Sequence, residues 1–486
     1  MSCRKGIDHN VMMLDSTLRE GEQTPNVSFT IEEKIEIARK LDEVGVHMIE
    51  AGDPNVSSDV REAVQKIAKE GLKAEVLAHC RAVVDDVDTA ISCDVPRVAI
   101  FLGTSDTHLT YKLRREREKA IGMAVRAIEH ARSSGLKVRF TAEDATRTDY
   151  GFLVKICHAA IDGGADRISV PDTVGVMTPE IIRRLFEDLK MDLKVELDVH
   201  CHNDMGLALA NTIAALESGA TVAHVTVNGL GERAGITSLS ELAVLLKRRY
   251  DIETVKLAEL PALSLLVEKH SGLTLAPNAP IVGDSAFTHK AGVHAAGVLA
   301  NPSTYEGFPP ELVGRHRQII IDKYTGTHAV KARFDRLGIS LNNDQIMRVV
   351  KAIKDRPEVG SFRDADLIEL AEKATGSNFS ADIPRYTEAL VLVKCESNVH
   401  TSSIARKIRA IKGVSRVYET SGDYDIELSL TAKTTPELND CLEKIRVIDG
   451  VVSTNTRIIL KKFESCEHKH SDHTQEVRKQ RGLRRM

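Results

Sequence analysis

The sequence predicts an α/β protein: a (β/α)8 TIM barrel, then a helical accessory region, then a C-terminal ferredoxin-like βαββαβ domain. Three observations carry this expectation. Short β-type runs alternate with longer helical periodicity eight times between Met12 and about Tyr250; the alternation is lost from about Leu257; and a βαββαβ order begins after Pro384. Repeated βα units imply parallel strands, because each return to the sheet needs a crossover, and eight units in about 250 residues suit a closed barrel. The expected divisions are residues 1–256 for the barrel, 257–384 for the helical accessory or lid region, 385–463 for the small domain and 464–486 for a disordered tail.

The barrel strands are placed at residues 12–16, 48–51, 74–79, 97–102, 138–142, 167–171, 196–200 and 223–228. The first helix shows a capping box, Thr30 with Glu33, ahead of the stripe Ile31, Ile35, Ala38, Leu41, and Gly45 ends it. Glycine stops recur at Gly71, Gly135, Gly164 and Gly219, each just before a strand, which is the mark of one repeated unit. Helices are expected at residues 344–354 and 364–373, between loops rich in Gly, Pro and Asn. The small domain is read as strands 389–394, 414–420, 424–431 and 451–460 with helices 403–411 and 436–445.

Composition limits the function. In 486 residues, 42% are apolar and 28% charged, values of an ordinary globular chain long enough for two or three domains. Trp is absent and aromatics reach only 4%, so an aromatic platform for nucleic acid is not expected. Lys and Arg, 66 together, against 70 Asp and Glu give −4, with no overall basic field for a polyphosphate backbone. The first thirteen residues carry Arg4, Lys5 and Asp8 and no long apolar run, so neither a signal peptide nor a membrane span is expected, and the protein is read as cytoplasmic. Eight Cys stand singly with no CxxC pair, as reduced thiols packed like small apolar residues. His468, His470 and His473 lie in the tail, which shows no apolar periodicity.

In such a barrel chemistry belongs at the C-terminal strand ends. Polar groups gather there: Asp15 to Gln23 after strand one, Glu50 after two, His79 after three, Arg139 to Glu143 after five, Asp172 and Thr173 after six, His200 to Asp204 after seven, and Asn228 to Arg233 after eight. His200 and His202, two apart on an extended segment, point to one side and could share a cation. Two satisfied strand-end histidines are the plainer reading of that pair alone. A carboxylate from strand one would add the hard ligand of an open, catalytic Zn2+, Mn2+ or Mg2+ site. Arg19 beside Glu20 sets a fixed cation next to that ligand, able to stabilise a forming alkoxide or simply to close the barrel mouth as a salt bridge.

The motifs DSTLREGEQ, HCHND, GLGERAG and FTHKAGVHAAGVLANPSTYE, in that order, resemble the homocitrate, isopropylmalate and citramalate synthase family of metal-dependent acyltransferases, from Met12 to about Thr375. The resemblance implies condensation of acetyl-CoA with a 2-oxo acid, followed by thioester hydrolysis. It makes Glu20, His200 and His202 metal ligands and Arg19 the group that polarises the ketone. Arg139 and Thr173 would hold carboxylate oxygens, while Gln23 and Glu50 would complete the substrate contacts. His294 and Tyr305 match residues that family members send into a neighbouring subunit's site, where with Glu143 they serve proton transfer from the acetyl methyl. A homodimer follows from the same resemblance.

His79 matches the position where family members acting on 2-oxoglutarate place a histidine against the distal carboxylate, which favours that substrate and the entry to lysine biosynthesis by the α-aminoadipate route. Glu143 to Asp149 reads more like the isopropylmalate and citramalate branch, and Leu14 stands where the family usually has Arg, so those oxo acids stay open. A lyase on the same metal barrel and a non-catalytic amino-acid sensor are the competing functions. Ser421 to Asp425, followed by Val451 to Thr456, resembles the amino-acid-sensing domain of leucine-responsive (feast/famine) regulators. That resemblance implies an effector between paired modules near Gly422, Asp423, Tyr424 and Thr454, with lysine the matching end product; a module used only for dimerisation is the alternative.

Overall fold

The computed structural model describes residues 6–377, 379, 387–396, 400–422, 424–432 and 435–459. Eight parallel strands close into a barrel in sequence order: β1 Met12–Asp15, β2 Met48–Gly52, β3 Glu75–Arg81, β4 Arg97–Gly103, β5 Lys137–Glu143, β6 Arg167–Asp172, β7 Glu196–Cys201 and β8 Val222–Val225, with β8 pairing back onto β1. The connecting helices are α1 Ile31–Val44, α2 Ser58–Ala68, α3 Val84–Ile91, α4 Arg117–Ser133, α5 Tyr150–Asp162, α6 Pro179–Asp192, α7 Ala208–Leu216 and α8 Leu239–Tyr250. The Thr30–Glu33 capping box opens α1, and Gly45 closes it at φ 99°, a left-handed conformation that disfavours a side chain.

The eighth strand is shorter than the sequence suggests. Asn228 takes a left-handed φ of 61° within the 3-10 turn Val227–Gly229, and Thr226 makes only an isolated bridge to Ser238, so the extended run ends at Val225. Two apolar zones hold the barrel. Outward strand residues such as Ile49, Val98, Phe140, Ile168 and Val199 pack under the helices, while Leu14, Met48, Leu77, Ala99 and Val222 form a small cluster of their own. Leu14 is therefore fully buried in an aliphatic layer and stands apart from the polar site.

Beyond the barrel, the stretch from Leu257 to Pro384 divides. The chain forms two compact units, Met1–Ala329 and Val330–Met486. Helix α9 Leu260–Ser271 joins the first unit because Leu260, Leu263 and Val267 enter the barrel's apolar core and His270 reaches Glu33 and Glu36 of α1 at 3.2 and 2.9 Å. β9 Thr288–His289 pairs in parallel with β10 Gln318–Ile319 around α10 Gly292–Ala300. α11 Thr327–Arg336 crosses the division, followed by α12 Asn343–Lys354 and α13 Asp364–Thr375.

The last elements are β11 Thr387–Cys395, α14 Thr401–Arg409, β12 Val414–Glu419, β13 Ile426–Ala432, α15 Thr435–Arg446 and β14 Val451–Ile458. Their antiparallel sheet has the order β12-β13-β11-β14, the ferredoxin-like arrangement. Alternation explains its one-sided core: Ala389, Val391, Val393, Ile426, Leu428 and Leu430 face the helices with Ile404, Ile408, Leu442 and Ile445. Six described cysteines are free and buried; Cys3, Cys466 and the tail histidines fall outside the described residues. Among the described residues no helix is long and apolar enough to cross a membrane.

Candidate active site and metal centre

A cavity of about 270 Å³ opens at the C-terminal end of the barrel strands. Of the residues expected to act there, Arg19, Glu20, Gln23, His79, Arg139, Glu143, Thr173, His200 and His202 all line it. Their convergence follows from register: Pro171 of β6 pairs with His200 of β7, and β8 returns beside β1, which carries the turn with Arg19 and Glu20.

Glu20, His200 and His202 each turn one ligand atom to a common point, within 4.8 Å of one another, and all three are buried. His200 Nε2 and His202 Nε2 are 3.3 Å apart, and His202 Nε2 lies 3.9 Å from Glu20 Oε1. Burial lowers the pKa of both imidazoles, keeping lone pairs on neutral rings. Burial works against the charge of Glu20, but Arg19 first, then the imidazoles and the Glu232 N–H, outweigh it and hold the carboxyl at about 2. Two neutral imidazoles and one permanent carboxylate form a donor set for a divalent cation. Gly231 lets the chain pass close to Glu20: a Cβ there would meet Oε1 at 3.1 Å.

Arg19 donates to Glu20 Oε2 at 2.5 Å and to Glu50 Oε2 at 2.7 Å, so its guanidinium is locked beside the ligand set. Glu50 departs from expectation: it is fully buried and does not line the cavity. It accepts from Ser16 Oγ and Arg139 Nη2, both at 2.6 Å, and lies 3.2 Å from His79 Nδ1. Burial opposes its ionisation, yet Arg19, Arg139 and His79 hold its pKa well below the usual carboxylate range. Glu50 thus fixes three cavity residues from behind, and the reason is its inward place on β2, where only a shared counter-charge makes buried guanidinium groups tolerable.

His79 stacks on Phe101, ring centres 4.5 Å apart and planes 11° off parallel. Burial, then Arg19, lowers its pKa despite Glu50. Thr173 Oγ1 accepts the Asp144 N–H at 2.9 Å, leaving its own proton to donate. At the mouth, Lys112 Nζ donates to both oxygens of Glu143 at 2.6 and 2.7 Å, and His108 Nδ1 lies 3.5 Å away. Burial resists, but His108 and Lys112 bring the Glu143 carboxyl to about 2. Lys112 and His108 come from the π-helical turn His108–Leu113, which no strand-end or spacing argument reaches. His224, which interrupts the apolar residues of β8 and is not among the residues expected to act there, also lines the cavity.

His294 and Tyr305 lie together away from this cavity, rings stacked 3.9 Å apart, both exposed. In the small domain, Asn455 Nδ2 donates to the Tyr424 hydroxyl at 3.3 Å, Arg446 Nε donates to Thr454 Oγ1 at 3.0 Å, and Gly422 takes a φ of 137°. Asp423 lies outside the described residues.

Comparison with known proteins adds three family matches: HMGL-like over residues 10–267, homocitrate synthase post-HMGL domain-like over 281–361, and the Lrp/AsnC ligand binding domain over 388–466. Curated proteins named homocitrate synthase are similar along nearly the whole chain. That of Sulfurisphaera tokodaii is 51% identical, covering 93% of this chain and 100% of its own length. That of Sulfolobus acidocaldarius is 51% identical over 95% and 99%, and that of Saccharolobus solfataricus 49% over 93% and 99%. Among solved structures, the HMG-CoA lyase of Bacillus subtilis superposes with a TM-score of 0.52 at 21% identity, covering 56% of this chain and 96% of that one. The hydroxymethylglutaryl-CoA lyase of Pseudomonas aeruginosa gives 0.51 at 22%, over 55% and 95%. These two likenesses speak to the barrel fold.

Proposed function

The chain belongs to the homocitrate synthase family, and from that premise we propose that it joins acetyl-CoA to 2-oxoglutarate and hydrolyses the thioester, releasing homocitrate and CoA. A carbon–carbon bond forms between the acetyl methyl and the ketone carbon, the methyl proton passes to a base, and water takes the acyl group from sulfur. This reaction opens lysine biosynthesis by the α-aminoadipate route.

The observation that carries the reading is the convergence of Glu20, His200 and His202 beside a locked Arg19 in one cavity. Glu20, His200 and His202 would hold a divalent cation, which would supply Lewis acidity toward the ketone of the oxo acid. Arg19 faces the same oxygen and stabilises the negative charge that grows on it, at no cost of reorganisation because Glu20 and Glu50 already hold it. Arg139 and Thr173 hold carboxylate oxygens, Gln23 adds a further polar contact, and His79, whose Nδ1 faces Glu50, donates to the distal carboxylate from its other ring nitrogen once that second negative charge draws a proton onto the ring. Glu143 takes part in proton transfer once Lys112 releases one of its oxygens, together with His294 and Tyr305 of a second copy. The last assignment requires a homodimer, and the fact that His294 and Tyr305 do not line their own chain's cavity supports it.

The C-terminal module is read as an amino-acid sensor, with lysine as effector near Gly422, Asp423, Tyr424 and Thr454; its match to a ligand-binding domain supports that role. The test of the catalytic reading is incubation with acetyl-CoA and a panel of 2-oxo acids, following free thiol. Thiol release dependent on 2-oxoglutarate is expected. Preference for 2-oxoisovalerate or pyruvate would move the reading to the isopropylmalate or citramalate branch, and no release with any oxo acid would leave a sensor.

A further inference from the structure

We propose that His224, aligned by Asp198, is a positioning residue that decides which ring nitrogen of His200 carries the proton, leaving His200 Nε2 bare toward Glu20 and His202. The inference rests on the metal-site reading above and deepens it.

Three contacts run in series through the barrel interior. Asp198 Oδ2 lies 3.1 Å from His224 Nε2, His224 Nδ1 lies 3.3 Å from His200 Nδ1, and His200 Nε2 lies 3.3 Å from His202 Nε2. Asp198 is 0% exposed and His224 1%, so each relies on protein partners for its hydrogen bonds. A neutral imidazole has one N–H and one lone pair, so with both rings neutral one proton lies between the two Nδ1 atoms. If His200 holds it, His224 carries its own proton on Nε2, where it donates to Asp198, and His200 Nε2 presents a lone pair. If His224 holds it, the bare His224 Nε2 faces the Asp198 carboxylate, and His200 turns an N–H toward His202, where it cannot bind a cation.

Asp198 selects the first arrangement and Arg139 opposes it, since Arg139 Nη1 lies 3.3 Å from the same His224 Nε2 and would donate there. The carboxylate contact is shorter, and Arg139 is drawn by its other amino group to Glu50 at 2.6 Å. Arg167 Nε stands 3.4 Å from the second oxygen of Asp198, an ion pair without a hydrogen bond since that N–H goes to Glu196, and its charge favours the ionised carboxylate. A partner that fixes the tautomer of a liganding histidine typically contributes about 10- to 100-fold in metal affinity.

The experiment titrates Zn2+ alone into metal-free, full-length protein by calorimetry, since late first-row ions bind imidazole and carboxylate donors tightly. Asp198→Asn offers an amide N–H to His224 Nε2 and favours the second arrangement, so Zn2+ should bind about 10- to 100-fold more weakly. His224→Leu should weaken binding similarly, because the His200 Nδ1 proton loses its acceptor. His224→Gln should stay near wild type, its carbonyl accepting from His200 and its amide donating to Asp198; thermal melts of the metal-free proteins check that each variant is folded. Zn2+ affinity unchanged in Asp198→Asn, or equally weak in folded His224→Gln and His224→Leu, overturns the proposal; if His224→Leu does not fold, Asp198→Asn and His224→Gln decide. Wild-type protein that binds no Zn2+ defeats the metal-site reading and this inference with it.

Discussion

The barrel unit and the C-terminal module hold their polar residues in opposite ways. In the barrel, Glu50 is fully buried and shared by Ser16, Arg19, Arg139 and His79, so each group is placed by several others. In the module, among the described residues, the Tyr424 hydroxyl has a single hydrogen bond, from Asn455 at 3.3 Å, at the edge of a four-stranded sheet. A redundant buried network couples activity to stability, because removing one member strands charges in the interior. A rim contact couples to neither, and its loss should move only the affinity for whatever it touches.

The contrast breaks most clearly at the ligand set. His202→Ala should remove divalent-cation binding and lower kcat by about 10³-fold or more, since several kcal/mol of transition-state stabilisation go with the cation. Calorimetric metal titration and thiol release measure the two effects, and a variant with full activity in chelator would undo the site. Protons compete with the cation only at the imidazoles. Their pKa values lie below 6.5, so binding should hold from pH 8 to about 6.5 and weaken as the pH falls further through the lowered values, while Glu20, held at about 2, stays ionised.

Next in size is Glu50→Ala. Arg19 and Arg139 would keep their charges without the shared partner, which costs about 3–5 kcal/mol, so denaturant midpoints should drop sharply and activity with them. A stable, merely slower variant would mean that water enters and replaces Glu50, and the claimed redundancy would be wrong.

What could be read beforehand follows the same division. Strand ends repeat in a barrel, so the polar residues after β1, β3, β5, β6 and β7 were visible as a series. Glu50 was read as a substrate contact because its inward, sealed position depends on the pleat of β2 and on guanidinium groups from the turn after β1 and from β5, which are 31 and 89 residues away. Lys112 and His108 escaped because a π-helical turn, not a strand end, brings them to Glu143. In the module, alternation in β11 and β13 gave the fold, but an exposed turn has no periodicity, so its ligand role rested on resemblance alone.

His79→Leu sharpens the comparison from inside the barrel, where the stack on Phe101 can tolerate an aliphatic side chain. One hydrogen bond to a charged group contributes roughly 1.5–3 kcal/mol. The ratio of kcat/KM for 2-oxoglutarate over 2-oxoisovalerate should therefore fall by about 10- to 100-fold. An unchanged ratio would show that His79 does not read the distal carboxylate.

The smallest effect is expected at the rim. Tyr424→Phe removes one hydroxyl whose one hydrogen bond among the described residues is the long bond from Asn455, so folding and basal turnover should not change. If that hydroxyl meets the effector, a single neutral hydrogen bond of about 0.5–1.5 kcal/mol is lost, and half-inhibition should need about 2- to 10-fold more lysine. Coupling is a difference between the affinities of two states, so the maximal inhibition at saturating lysine should stay as in wild type while the curve moves along the concentration axis. KM for 2-oxoglutarate in the absence of lysine separates the two regions: it stays fixed if lysine acts at the module. A Tyr424→Phe enzyme inhibited along the wild-type curve, with lysine raising the apparent KM for 2-oxoglutarate, would place the effector in the barrel cavity, and the redundant network there would be the one that lysine enters.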